Sequence, residues 1–297
     1  MTRTAPHAPS PSPLPSLSRT AAGFPADDGP VPHVPMIGAH VEVADPFAGA
    51  AARDAHVVQV NLSAPQTWRK PVARRNLADW LSWDVPVFVH SPYLVNASSI
   101  RPEQRAKSRT CLRQQVEAAA AIGARGLVVH AGHPTGDGTL SDAVAGWVEV
   151  LTDWTPQIPI LIENTAGGKA GPGRTLDGLA HLWSALGDAG HLDGDRIGFC
   201  LDTCHAHAAG LRLDGLVEKI TAITGRIDLV HVNDSRDELD SRRDRHANLG
   251  TGTIETAAIT ALVAEAFDRH RAPAVVETPG SVDDQRRDVH TLRDALS

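Results

Sequence analysis

The sequence predicts an α/β protein built as a single (β/α)8 barrel, the TIM barrel. Three observations predict it. From Met36 onward, short apolar runs rich in β-branched residues alternate with longer helical stretches, which implies a parallel sheet. Eight such runs in about 260 residues suit a closed barrel better than an open sheet. Metal-competent side chains end most of the runs, where a parallel barrel carries its functional face.

The runs are Met36–Val41, His56–Leu62, Pro86–His90, Gly126–His130, Ile158–Glu163, Ile197–Asp202, Ile227–Val232 and Pro273–Glu277. Between them, Glu103–Ile122 is long, Ala-rich and helical, and Asp142–Trp154, Leu176–Leu186, Asp214–Ile223 and Glu255–His270 show similar patterns. The helix after the second run is weaker, because Pro71 and two tryptophans blur its pattern. Residues 1–35 stand apart: they hold 9 of the 21 prolines, with Ser and Ala between them, and predict a disordered extension. Its early part is free of acid, as in targeting peptides, but so much proline makes a poor amphipathic helix. The barrel domain is expected over 36–297.

At 297 residues and 42% hydrophobic, the chain can bury a sizeable core. No apolar run reaches the 18 residues of a membrane span, and no secretory leader is visible. Cys111, Cys200 and Cys204 are too few for a disulfide framework and suit a reducing, cytoplasmic setting. The C-x3-C spacing of Cys200 and Cys204 permits a zinc site, but small buried residues beside a site is the favoured reading. A formal net charge of −7 argues mildly against nucleic acid as a partner.

Runs three to eight end in, or lead directly into, His90, His130, Glu163, Asp202, His231 and Glu277. In a parallel barrel these converge on one mouth. Several buried charges left unpaired there would be very costly, and divalent metal would neutralise them. Loops add His205, three residues beyond Asp202, and the Asp244-Arg-His246 pair after the seventh run. Alone, each residue reads as a hydrogen-bonded strand end or a helix cap. Six strand ends in succession, all of ligand type, point instead to a multinuclear centre. Five histidines and four carboxylates suit zinc, with manganese or iron as substitutes.

His90-Ser-Pro-Tyr-Leu-Val-Asn96 resembles a His-Ala-Pro-Tyr-Leu-Ile-Asn segment of the endonuclease IV family, the zinc-dependent apurinic/apyrimidinic endonucleases. Glu163-Asn-Thr-Ala-Gly167, Cys200-Leu-Asp-Thr-Cys-His-Ala206, His231-Val-Asn-Asp-Ser235, Asp244-Arg-His-Ala-Asn248 and Val276-Glu-Thr-Pro279 resemble its other signatures. The resemblance covers residues 36–297, and all nine ligand positions are filled. It implies three zinc ions: His90 and His130 hold one, Glu163 bridges to a second completed by Asp202, His231 and Glu277, and His205, Asp244 and His246 hold the third. It further implies a DNA-repair hydrolase, a monomer, that cuts duplex DNA 5′ of an abasic site. Glu163 orients the attacking hydroxide in that scheme. Tyr93, Gln66 and Trp68 match positions that would face the DNA, and Arg245 is the DNA contact expected in the loop after the seventh run. Three Zn2+ would bring the net charge from −7 to about −1 and concentrate positive potential in the mouth. Arg69, Lys70, Arg74, Arg75, Arg101, Arg236, Arg242 and Arg243 lie in or near loops that can touch phosphates.

The chain departs from the family pattern at Ala64, where Asn is usual, at Glu42, which adds negative charge on the DNA side, and at His133, an extra imidazole. No ligand is touched. The alternatives are a phosphodiesterase for other damaged DNA or a modified nucleotide, and a metal-dependent sugar isomerase or epimerase on the same barrel. The latter would not need His205, Asp244 and His246 together. A non-catalytic binder of damaged DNA is disfavoured, since it would be expected to lack a ligand.

Overall fold

A computed structural model describes residues 35–72, 74 and 76–297. The expected extension, apart from Pro35, and Arg75 lie outside the described residues. Eight parallel strands close into a barrel. They are β1 (Ile37–His40), β2 (Val58–Val60), β3 (Val87–His90), β4 (Gly126–His130), β5 (Ile160–Glu163), β6 (Ile197–Asp202), β7 (Leu229–Val232) and, after a two-stranded hairpin of β8 (Asp234–Ser235) and β9 (His246–Ala247), β10 (Ala274–Val276). Each predicted run contains one barrel strand. Several runs are longer than the strands they contain: of the flanking residues, Val57 packs inside the barrel, and Val41, Leu62 and Ile227 pack in the core beneath the helices.

The helices are α1 (Pro46–Ala52), α2 (Leu77–Leu81), α3 (Pro102–Ala121), α4 (Leu140–Leu151), α5 (Leu176–Asp188), α6 (Thr203–Ala208), α7 (Leu216–Thr224), α8 (Thr256–His270) and α9 (Val282–Ala295). The weak segment after the second strand yields only the five residues of α2. Thr139 and Asp142 form a capping box on α4, and Ser281 and Asp284 form one on α9, each satisfying free N–H groups of the first turn.

Strand side chains alternate between two environments. Val58, Val60, Val87, Val89, Leu127, Val129, Ile160, Ile162, Val230 and Val232 face outward into the main core beneath the helices. Val57, Phe88, Val128, Leu161, Cys200, Leu229 and Val275 form a separate apolar layer inside the barrel. Burying one Leu or Val fully contributes about 1.5–3 kcal/mol, so both layers hold the strand ends in register. Beneath His40, Gly38 leaves no room for a side chain, since a Cβ there would meet Val57 O at 1.7 Å.

Two residues above that inner layer, every barrel strand presents or leads into a polar group at the mouth. In chain order these are His40, Gln59, His90, His130, Glu163, Asp202, His231 and Glu277. The period of two along a strand converts one apolar layer into one polar layer at every strand.

Candidate metal centre

Glu163 is the hub of the polar layer and is fully buried. Its Oε2 lies 3.2 Å from both His90 Nε2 and His130 Nε2. Its Oε1 lies 3.0 Å from His231 Nδ1 and 3.2 Å from His205 Nδ1. One carboxylate therefore faces a different pair of imidazoles with each oxygen. Glu163, Asp202, His231 and Glu277 each bring a ligand atom within 4.8 Å of the others, as the second set of the sequence reading requires. Asp244 joins the remaining two histidines: Oδ2 is 3.1 Å from His205 Nε2, and Oδ1 is 3.0 Å from His246 Nε2. All nine expected ligands thus meet at one mouth.

Local structure fixes these groups. Asp202 caps α6, its Oδ1 accepting from His205 N at 2.6 Å, so strand end and helix start carry two ligands in one turn. The β8–β9 hairpin folds back beside the mouth and brings His246 and Asp244 with it. Asp234, fully buried, anchors the loop beyond the hairpin by accepting from Gly252 N at 2.8 Å and Ile254 N at 2.9 Å.

Hydrogen bonds from the unused ring nitrogens set the histidine tautomers. The Nδ1–H of His90 donates to Ser91 O at 2.8 Å, that of His205 to Asn164 O at 3.0 Å, and that of His246 to Glu277 O at 3.3 Å. Once the rings are neutral, their Nε2 lone pairs face the mouth. His231 is reversed: Nε2–H donates to Gln59 Oε1 at 2.8 Å, leaving Nδ1 toward Glu163 and Glu277. Asn233 donates to Asp202 Oδ2 at 2.8 Å, and its Oδ1 accepts from Glu277 N at 3.0 Å. Asn164 closes a matching pair with the Asp202 backbone.

The electrostatics are those of interleaved cations and anions. Burial works to raise the Glu163 carboxyl, but His130, His231 and its other imidazole partners hold it well below the usual carboxylate range. Glu277 is likewise opposed by burial and is held at about 2, chiefly by His231 and His90. Burial works to lower His205 and His231, yet Asp202, Asp244 and Glu163 push His205, and Cys200, Glu277 and Glu163 push His231, well above the usual imidazole value. His246 is pushed up to about 9, burial being outweighed by Asp244 and Asp202. His40 behaves oppositely: burial lowers it to about 4, so it is neutral.

The donor set fits divalent metal. It is all imidazole nitrogen and carboxylate oxygen, it is buried, and it is arranged so that lone pairs converge. His246 Nε2 is buried and makes no aligned hydrogen bond, although an Asp244 oxygen lies close by. A cation there satisfies both. Cys204 Sγ lies within 4.8 Å of ligand atoms of Asp244 and His246. Burial pushes that thiol, like Cys200, up to about 12, which keeps both protonated. Cys200 belongs to the apolar layer.

The residues expected to face DNA separate on inspection. Tyr93 is 67% exposed, with its ring edge-to-face on His130 at 5.8 Å between centroids. Its backbone N–H donates to Pro65 O at 2.8 Å, which ties it to the loop bearing Gln66. Gln66 is exposed. Trp68 is half-buried and packs against the main core, so it anchors that loop. Arg245 lies on the outer hairpin, hydrogen-bonded to Asp237. Ala64 is exposed on the same loop as Gln66, and His133 is exposed. Glu42 lines the mouth with Arg53, whose guanidinium burial weakens and Glu42 supports, so the extra acid meets a cation. Sequence reasoning missed His40, Gln59, Asn164 and Asn233 as parts of the site. His40 and Gln59 stand inside their apolar runs, followed by Val41 and Val60, and only the barrel register puts them level with the ligands.

Fold and site place the chain among the xylose isomerase-like TIM barrels, and the family model of that description matches residues 50–295. The probable endonuclease 4 of Mycobacterium marinum is 44% identical over 262 residues, which are 88% of this chain and 99% of the relative. That of Mycobacterium tuberculosis is 45% identical over 243 residues, 82% of this chain and 92% of the relative. The chain belongs to the endonuclease IV family. Among solved structures, endonuclease IV from Thermus thermophilus superposes with a TM-score of 0.74 at 27% identity, covering 88% of this chain and 99% of that one. A D-tagatose 3-epimerase-like protein, at 19% identity and a TM-score of 0.67, shares the fold, with 87% of this chain and 97% of that one covered.

Proposed function

We propose that this chain is a DNA-repair endonuclease. It hydrolyses the phosphodiester 5′ to an abasic site in duplex DNA, with three zinc ions held as the resemblance assigns them. The observation that carries the reading is the meeting of nine ligand-type side chains at one barrel mouth, in a chain of this family. When bound, such ions supply Lewis-acid polarisation of the phosphate and an attacking water of lowered pKa.

The protein groups do the positioning. Glu163, held ionised and facing ligands on both sides, orients the attacking water toward phosphorus. Water oxygen bonds to phosphorus, and the bond to the preceding nucleotide's 3′ oxygen breaks. That oxygen leaves as a 3′-hydroxyl, and the 5′-phosphate stays on the baseless deoxyribose. Tyr93, exposed above His130, occupies the space a missing base leaves open, with Gln66 beside it. Arg245 and the neighbouring arginines contact backbone phosphates. The protein acts as a monomer.

Duplex DNA with a single abasic analogue, incubated with and without a strong chelator, tests the reading. Chelator-sensitive nicking 5′ of the lesion is expected, with about three zinc equivalents by metal analysis. Absence of nicking by the metal-loaded protein would sink it. One equivalent and activity on a ketose would favour the epimerase alternative.

A further inference from the structure

Six of the eight strand-end positions carry ligands, and the remaining two carry His40 and Gln59. Gln59 is fully buried at the level of the metal centre, where the other strands present ligands or His40. Its Oε1 accepts from His231 Nε2 at 2.8 Å. Its Nε2 donates to Glu277 Oε1 at 2.5 Å and lies 3.2 Å from His40 Nδ1. His40 Nε2 in turn lies 3.0 Å from the Asn61 side-chain amide.

Hydrogen-bond capacity allows one consistent assignment of this chain. A carboxylate only accepts, so the Gln59 NH2 must face Glu277, and Gln59 Oε1 must face His231. The neutral, metal-ligating His231 ring therefore carries its proton on Nε2. The second Gln59 N–H points at His40 Nδ1, which must accept, so the His40 ring carries its proton on Nε2. That N–H donates to Asn61 once its amide is turned, so that Oδ1 takes the place of Nδ2 at 3.0 Å. Every polar atom of Gln59 is then used, and no alternative orientation satisfies both Glu277 and His231.

We propose that Gln59 is a positioning residue for one metal subsite: a single amide locks the His231 tautomer and the Glu277 rotamer together, with His40 and Asn61 fixing the amide. This rests on the metal reading above. The subsite it serves is the one formed by Glu163, Asp202, His231 and Glu277. Loss of Gln59 frees His231 to protonate Nδ1 and Glu277 to rotate away, while the His90–His130 and His205–Asp244–His246 sets touch neither end of the amide.

The test is chelator competition on zinc-loaded wild type, Gln59→Met and Gln59→Glu. Gln59→Met is expected to weaken one ion about 10- to 100-fold and leave the others at wild-type affinity. Gln59→Glu keeps an acceptor for His231 but sets two carboxylates against each other, and is expected to lose the same ion. It serves also if the Met variant does not fold. In the loaded wild type, 15N spectra should show one slowly exchanging imidazole N–H with ligation through Nδ1, absent from both variants. Wild-type retention of every ion in the variants, or parallel loss of all ions with a lower melting temperature, overturns the inference and leaves the metal reading intact. A wild type that binds no ion overturns both.

Discussion

The barrel interior holds two layers on the same strands, two residues apart, that obey opposite rules. The lower layer, Val57 to Val275, is apolar and gains its energy from packing. The upper layer, His40 to Glu277, is polar and is held by hydrogen bonds between groups that would be costly if left alone. The lower layer needs volume, whereas the upper layer needs particular atoms at particular angles. Substitutions in the two layers should therefore separate stability from chemistry.

Glu163→Gln is the strongest way to break the upper layer. It keeps the shape and removes the charge at the point where two pairs of imidazoles meet. Nicking of abasic duplex is expected to fall by about 10²- to 10⁴-fold, while affinity for the same duplex stays near wild type. Single-turnover cleavage and an electrophoretic binding assay measure the two separately. Near-normal turnover would remove Glu163 from its role.

Leu161→Ala makes the opposite change in the lower layer, two residues before Glu163 on β5. Leu161 is buried in one layer with Phe88 and Val128, and its loss leaves a cavity. A cost of about 2–5 kcal/mol in denaturant unfolding is expected, with cleavage per folded molecule unchanged. A fall in cleavage without loss of stability would show that the two layers are not separable.

Acidity sharpens the contrast, because the lower layer's one titratable group, Cys200, stays protonated up to about 12. In metal-free protein, the raised values of His205, His231 and His246 mean that folding stabilises their protonated forms. That contribution is complete below the ordinary imidazole value of 6.5 and is lost as pH rises through the folded value, about 9 for His246. Glu277 runs the other way: its contribution is present above 4.5 and is lost as pH falls through about 2. Metal-stripped protein should therefore melt progressively lower from pH 6.5 to above 9. Metal uptake must displace the same protons, so zinc affinity should rise over that range, with proton release in calorimetry. The destabilisation by Leu161→Ala should be the same at both ends. Constant zinc affinity across the range would contradict the assigned ligand set.

How much of this is legible in the sequence follows the same division. The six ligands at strands three to eight stand at the ends of apolar runs, and a run ending in His, Asp or Glu shows itself without coordinates. Gln59 stands inside its run, followed by Val60, and glutamine is not a ligand type. His40 is followed by Val41 and is masked in the same way. Only the shared register puts these two level with the others. The hairpin of β8 and β9 has two residues per strand, too short for any period, so Asp244 and His246 are readable as a pair but not as a folded unit. The loop position of Trp68 points to the DNA surface; its half-buried packing depends on long-range contacts that the loop sequence does not encode.

At the rim the expected effects shrink. Tyr93→Ala removes an exposed ring that touches the site only edge-on, so preference for abasic over intact duplex should fall by about 10-fold with the cleavage step little changed. Competition between the two duplexes reads this directly, and an unchanged preference would take Tyr93 off the recognition surface.

Arg245→Ala should have the smallest effect. Asp237 already holds the guanidinium on an exposed hairpin, and that pairing competes with a phosphate. A lost phosphate contact would lower the slope of log affinity against log salt by about 1, equally for abasic and intact duplex. Asp237→Asn alone should act in the reverse direction, since it frees Arg245 and removes a negative charge facing Arg243 as well. Binding isotherms over a salt series in the two single variants and the double variant separate the terms. If Arg245 meets DNA, the gain from Asp237→Asn shrinks once Arg245 is gone. Equal gain with or without Arg245 would mean that Asp237 acts through overall charge, and that the hairpin arginine serves the fold of its own loop.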